Sequence, residues 1–376
     1  MSDSENHNVT PATKLVSAGR RRKWLGVEGQ KGSVVNPPVW RASTHLFEDC
    51  ADLASGRPDE QGHFLYGRAG GPTQWALADA LTQLEPGAHS TELYPSGVAA
   101  LGIAMLSVLR PGDEVLVTDN AYGPTHWIAL SMLSQFGVTA KPFDPLDLEG
   151  FAALISDKTK AVMLESPGSL TMEMCDIPAL ANIARDAGAI SIIDNTWATG
   201  IGFPALERGC DMSVMALTKH ASGHSDVMMG SISAGEEMMK KVRLMTQFMG
   251  QVVSPDDAAL IMRGLRTMGV RLEHATRSAT KIASWLQQRP EVTSVLCPLI
   301  PEGTGHAMYK RDFTGGCGLF SFLLKGDKAD RARFIDALEH FSIGYSWGGY
   351  ESLAIPIDPE HGRKLRTWPP GTDSDG

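Results

Sequence analysis

The sequence predicts an α/β fold: a mostly parallel sheet covered by helices, followed by a smaller α/β domain toward the C-terminus. Three observations carry that expectation. Short continuous apolar runs such as "KAVMLESP" and "AISIIDNTW" lack the polar alternation of a one-sided sheet, so both faces should be covered. Each run stops on acidic or polar residues. Helix-like segments with a glycine stop, such as "IPALANIARDAG", separate the runs in the rhythm of βαβ units.

Residues 1–62 mix Gly, Pro and charge in irregular order ("GVEGQKGSVVNPPVW") and are expected to form an extended N-terminal arm. The main, ligand-binding domain is expected over 63–255. In it, "TELYPSGVAALGIAMLSVLRPGDEVLVTDN" reads as a strand, a Pro-Ser-Gly turn, an apolar helix ended by Arg110-Pro111-Gly112, and a second strand. After residue 255 the grain changes. A long helix, "RLEHATRSATKIASWLQQRP", precedes the strand "EVTSVLCP", the glycine-rich strand "RDFTGGCGLFSFLLKG" and the helix "KADRARFIDALEHF", giving a smaller domain over 256–376. No internal repeat is present.

At 43% hydrophobic and 20% charged residues, the 376-residue chain has the balance of a soluble enzyme or binding protein. Its net charge of -9 argues against a general nucleic-acid or anionic-membrane binder. The basic run Arg20-Arg21-Arg22-Lys23 reads as a solvated face. Five scattered cysteines with no C-x-x-C suggest neither a disulfide framework nor a zinc site, as fits a reducing cytosol. The start, "MSDSENHNVT", lacks the order of a signal peptide, and no apolar run nears the ~20 residues that span a bilayer. A cytoplasmic protein is expected.

In an open parallel sheet, ligands bind at the carboxyl ends of the strands. Ser96-Gly97, Asp119 to Tyr122, Glu165-Ser166, Asp194 to Thr196 and Thr218-Lys219 should therefore converge. Lys219 is the puzzle among them, because an ammonium at the end of the apolar run "MSVMALTK" must be solvated, paired or chemically neutralised. Asp194, 25 residues earlier, ends "SIIDN". A lysine able to form a Schiff base and an acid able to keep a pyridine nitrogen protonated fit a pyridoxal-phosphate site. The Gly97 and Val98 N–H groups, opening a helix, could cradle a phosphate, with the Thr218 hydroxyl beside them. Tyr122 could cover the cofactor's ring or be a half-buried surface tyrosine. Tyr66 and Arg68 in "FLYGRAGGPTQW" suit a phosphate or a plain surface loop. His220 and His224 have i,i+4 spacing, but "HASGHSD" is rich in Gly and Ser with no third ligand motif, so no metal site is expected.

The chain resembles the cysteine/methionine-metabolism family of pyridoxal-phosphate enzymes. The resemblance rests on "YGRAGGPT", "LYPSGVAA", "DNAYGPT", "LESPGSLTMEMCDIPA", "IIDNTWATG", "TKHASGHSDVMMG", "MRGLRTMGVRL", "RDFTGGCGLFSF" and "SWGGYESL", in order from about residue 65 to 355. It implies the aspartate-aminotransferase-like fold (fold type I) and pyridoxal 5'-phosphate. It also implies Lys219 as the Schiff-base lysine, Asp194 as the pyridinium partner, Tyr122 as the stacking ring, and Gly97, Val98 and Thr218 as phosphate ligands. Tyr66 and Arg68 would reach the neighbouring subunit's cofactor, making the active unit at least a dimer in a usually tetrameric family. Ser346 and Trp347 would wall the substrate. Trp347, Tyr350 and Ala216 resemble the β-lyase branch, which splits L-cystathionine into homocysteine, pyruvate and ammonia in trans-sulfuration. The alternatives are γ-lyase, γ-synthase or cysteine desulfhydrase chemistry, or a weakened cofactor-binding relative. In the family an arginine on a later strand clamps the substrate carboxylate. The small domain is expected to be incomplete relative to that pattern, and no motif gives Arg363 or Arg366 the task.

Overall fold

The computed structural model describes residues 10–25, 31–56, 62–361, 363 and 365. The start "MSDSENHNV", Arg366 and the acidic tail lie outside them. Among the described residues the apolar runs become seven strands: β1 (Ser90–Tyr94), β2 (Glu114–Thr118), β3 (Thr139–Phe143), β4 (Thr159–Glu165), β5 (Ile190–Asp194), β6 (Met212–Ala216) and β7 (Gly230–Ala234). They form one sheet in the order β1-β7-β6-β5-β4-β2-β3. From β6 through β3 the pairings are parallel, and β7 runs antiparallel to both of its neighbours. The reversal has a local cause. A parallel return needs a crossover, usually a helix, whereas residues 217–229 are spent on the turns around Lys219.

Both faces of the sheet are covered, as the unbroken apolar runs require. Leu116, Val162, Leu164 and Ile193 face one side, against helices Pro72–Leu84, Ile177–Asp186 and Pro255–Leu286. Val115, Val117, Ala161 and Met163 face the other, against helices Gly97–Val108 and Glu236–Phe248. Alternate residues of one strand thus enter opposite cores, each large aliphatic contributing about 1.5–3 kcal/mol on burial. A second sheet pairs β8 (Val292–Leu296) with β9 (Ser321–Leu324) antiparallel, followed by helix Lys328–Asp336.

The N-terminal segment departs from the extended arm expected of it. Thr10 caps a helix over Pro11–Ser17, with proline in its first turn and Leu15 buried. Arg266 of the long helix donates to the carbonyls of Leu15 and Ala18, both at 2.8 Å. The basic run is not a purely solvated face either, since Arg21 pairs with Asp79 at 2.5 Å. Among the described residues no helix is long and apolar enough to cross a membrane.

Glu85, just after helix Pro72–Leu84, is 1% exposed and accepts a 2.8 Å hydrogen bond from Ser213 of β6. Burial pushes its carboxyl from the ordinary 4.5 up to about 7. The folded chain therefore holds this proton more tightly than the unfolded chain does. The resulting stability is full below pH 4.5 or so and is lost as pH rises through about 7. Glu85→Gln should stabilise the fold at pH 8 by about 2–3 kcal/mol and change little at pH 5. Thermal scans at both values check this, and an equal shift at the two pH values would contradict it.

Candidate active site

Lys219 follows β6 by three residues, held in a turn by its own N–H to Ala216 O (3.1 Å) and by Gly223 N–H to its carbonyl (2.8 Å). Arg271 clamps the next residues, donating to His220 O at 2.9 Å and Gly264 O at 2.7 Å. A Cβ at Gly264 would lie 2.2 Å from Ala221 O, so the long helix can lie against this loop only with glycine there. Nζ of Lys219 donates to Ser346 Oγ at 2.8 Å and sits 5.2 Å from the Trp347 ring centroid. Desolvation lowers the lysine's pKa, with the charge of Asp194 working the other way. His220 is buried and pushed down to about 3, first by desolvation and then by Arg271. Its neutral ring lies 5.2 Å from that of Trp347.

The wall formed by Ser346 and Trp347 comes from a distant part of the chain. Gly348 brings it close. At φ +82° its backbone suits glycine, and a Cβ there would meet Lys219 Cβ at 3.1 Å and His220 Nδ1 at 3.0 Å. Ser346 itself sits at φ +107°, a conformation that costs a non-glycine residue about 1–3 kcal/mol.

Asp194 ends β5 and accepts from the N–H of Thr196 at 3.0 Å and from the Thr196 hydroxyl. The same hydroxyl accepts from Ala216 N–H at 2.9 Å, tying β5 to β6 below the lysine. Desolvation raises the Asp194 pKa, while Lys219 and both Thr196 bonds lower it. Tyr122 is 44% exposed, and its N–H donates to Glu165 Oε2 at 2.7 Å. Desolvation, then the charge of Asp194, raises its phenol pKa.

Helix Gly97–Val108 points its first turn at the same edge. Ser96 Oγ takes the N–H of Ala99 at 3.1 Å, and those of Gly97 and Val98, in the first turn, have no acceptor within the helix. A Cβ on Gly97 would meet Ala216 Cβ at 2.7 Å, so glycine opposite alanine lets the helix start close onto β6. Thr218 lies alongside, but its hydroxyl bonds Met229, donating to the carbonyl at 3.3 Å and accepting from the N–H at 3.0 Å. Tyr66 and Arg68 lie elsewhere. They line a cavity of about 300 Å³ with Glu92, Arg243 and Phe248, and none of the groups around Lys219 reaches it.

The donor set fits pyridoxal phosphate. A desolvated lysine, an acid at the end of the adjacent strand, a half-exposed tyrosine beside that acid and a glycine-opened helix start are groups that its aldehyde, ring nitrogen, ring face and phosphate would need. Glu165 lies beside Asp194 and accepts the N–H of Tyr122, the convergence expected of these strand ends. What escapes a reading of the sequence alone is Arg363, whose side chain is 4% exposed and pairs with Asp119 at 3.0 Å and with Glu173. It does not stand in the lysine's wall. It ties together the loops that follow β2 and β4.

A doubly covered sheet offering a lysine and a carboxylate at its carboxyl edge has the layout that a pyridoxal-phosphate enzyme needs. The chain belongs to the Cys/Met metabolism PLP-dependent enzymes, whose family model matches residues 12–365. It is 42% identical over 360 residues to cystathionine beta-lyase MetC of Escherichia coli, covering 94% of this chain and 89% of that protein. It is also 42% identical to cystathionine beta-lyase of Salmonella typhimurium over 359 residues, with the same coverage. The crystal structure of metB from Corynebacterium glutamicum superposes with a TM-score of 0.85 at 28% identity, covering 92% of this chain and 87% of that one. The fold is that of the fold type I enzymes expected from the motifs.

Proposed function

We propose that this protein is a cystathionine β-lyase that cleaves L-cystathionine by β-elimination to homocysteine, pyruvate and ammonia. The observation that carries the reading is the placement of the Lys219 amine between Ser346, Trp347 and the carboxylate end of β5. When bound, the cofactor supplies an electron sink for the charge that develops at the substrate Cα. The chain's own residues do the rest. Desolvation lets Lys219 release its proton more readily than free lysine, so its amine can take the Cα proton. The same amine would return that proton to the departing sulfur. Asp194, held by its Thr196 hydrogen bonds, would supply the negative charge that keeps the ring nitrogen protonated. Trp347 and the exposed Tyr350 shape a wall for a long thioether substrate.

The active unit is at least a dimer, and the assembly a tetramer, in the cytoplasm. Tyr66 and Arg68 line a cavity apart from Lys219, which supports their reaching a second subunit's phosphate. Residues 63–255 act as the cofactor-binding domain and 256–376 as the smaller one. Purified protein incubated with cystathionine should release free thiol and pyruvate in equal amounts. Formation of 2-oxobutyrate and cysteine instead would mark a γ-lyase. Light scattering on the same sample tests the assembly.

A further inference from the structure

Glu165 and Asp194 are direct register partners on the adjacent parallel strands β4 and β5, so their side chains leave the same face of the sheet side by side. Both are partly accessible from the cleft and otherwise enclosed by protein. Two carboxylates in that position repel, and one proton between them relieves the repulsion. The hydrogen bonds decide where it goes. Asp194 receives two from Thr196 and lies within range of the Lys219 charge. Glu165 receives one, from the N–H of Tyr122 at 2.7 Å. Among the described residues no cation pairs with it: its other charged or titratable neighbours there are Tyr122 itself and Cys175, whose thiol donates to the Glu165 carbonyl at 3.4 Å. Asp194 is thus the better-stabilised anion.

We propose that Glu165 is a positioning residue of the cofactor site, kept protonated beside Asp194, which leaves Asp194 as the sole charge below the ring while Glu165 anchors the main chain of Tyr122. Desolvation and the charge of Asp194 both push the Glu165 carboxyl well above the ordinary carboxylate range, in the same sense. The inference rests on Asp194 facing the pyridine nitrogen but not on which sulfur amino acid is cleaved.

The test uses cofactor-loaded wild type, Glu165→Gln and Glu165→Leu at pH 8. Infrared difference spectra between wild type and Glu165→Gln should contain one protonated-carboxyl carbonyl band from the wild type. Glutamine reproduces a neutral acceptor, so that variant should bind pyridoxal phosphate within about twofold of wild type. The pH titration of its visible cofactor band should also be unchanged. Glu165→Leu leaves the Tyr122 N–H without its partner and should weaken cofactor binding by about tenfold. Absence of the carbonyl band would overturn the proposal, as would a Glu165→Gln titration displaced by about one pH unit. If the Leu variant fails to fold, the spectra and the Gln titration still decide. None of these readings involves turnover, so they stand or fall separately from the lyase assignment.

Discussion

Replacing Lys219 with alanine is expected to lower turnover of cystathionine by about 10⁴-fold and to remove the visible band of the cofactor-loaded protein. The size of the effect follows from how many tasks converge on one nitrogen. In the proposed mechanism Nζ alone bonds the cofactor, takes the Cα proton and returns it. His220, the adjacent residue, is held near pKa 3 with its ring against Trp347. Folding should survive, because the lysine side chain is not part of either core and its main-chain turn stays in place. Lys219→Arg separates charge from chemistry: it keeps a cation near Asp194 but offers no amine for a Schiff base, and should be as inactive as the alanine variant. Single-turnover assays with saturating cofactor measure both. Turnover within tenfold of wild type in either variant would refute the role given to this residue.

How far the site could be read in advance depended on whether its cause was local. The ends of β4, β5 and β6 were legible because an apolar run cannot continue through Glu165, Asp194 or Lys219, and a parallel sheet collects such ends at one edge. The helix starting at Gly97 was legible from its turn residues. The first helix, Pro11–Ser17, left a signal that the irregular composition of its neighbours obscured: Thr10 followed by Pro11 is a cap and a first-turn proline. The antiparallel β7 had no local signature at all, since its direction follows from how residues 217–229 are used. The lysine wall was found through motif resemblance alone, as nothing local to Ser346 announces that Gly348 will lie against Lys219. Arg363 was the least accessible. Its partners are 244 and 190 positions away, a distance over which no sequence periodicity operates.

That arginine supports the second large effect, on stability. Arg363→Met is expected to destabilise the fold by about 3–5 kcal/mol, because it takes the neutralising cation away from two carboxylates that water cannot reach. Asp119 is 1% exposed and Glu173 4%. The guanidinium donates to Asp119 at 3.0 Å, to Glu173, and to Thr171 Oγ1 at 3.3 Å, while the N–H of Leu365 adds a 3.1 Å bond to Asp119. Arg363→Lys keeps the charge but reaches fewer acceptors, so its loss should be smaller. Pairing Arg363→Met with Glu173→Gln removes one of the two uncompensated charges and should recover part of the deficit. The consequences extend to the cofactor. Asp119 leads into the turn that carries Tyr122, and Asn120 O accepts from Ser169 N–H at 2.9 Å in the loop that holds Glu173. Loosening this knot should weaken pyridoxal-phosphate binding even at temperatures where the variant remains folded. Thermal melts paired with cofactor titrations at 20 °C or so measure the two effects separately. An unchanged melting temperature in Arg363→Met would mean that the segment reaching Leu365 does not fasten the Tyr122 turn, and that Tyr122 is held by Glu165 and its own loop alone.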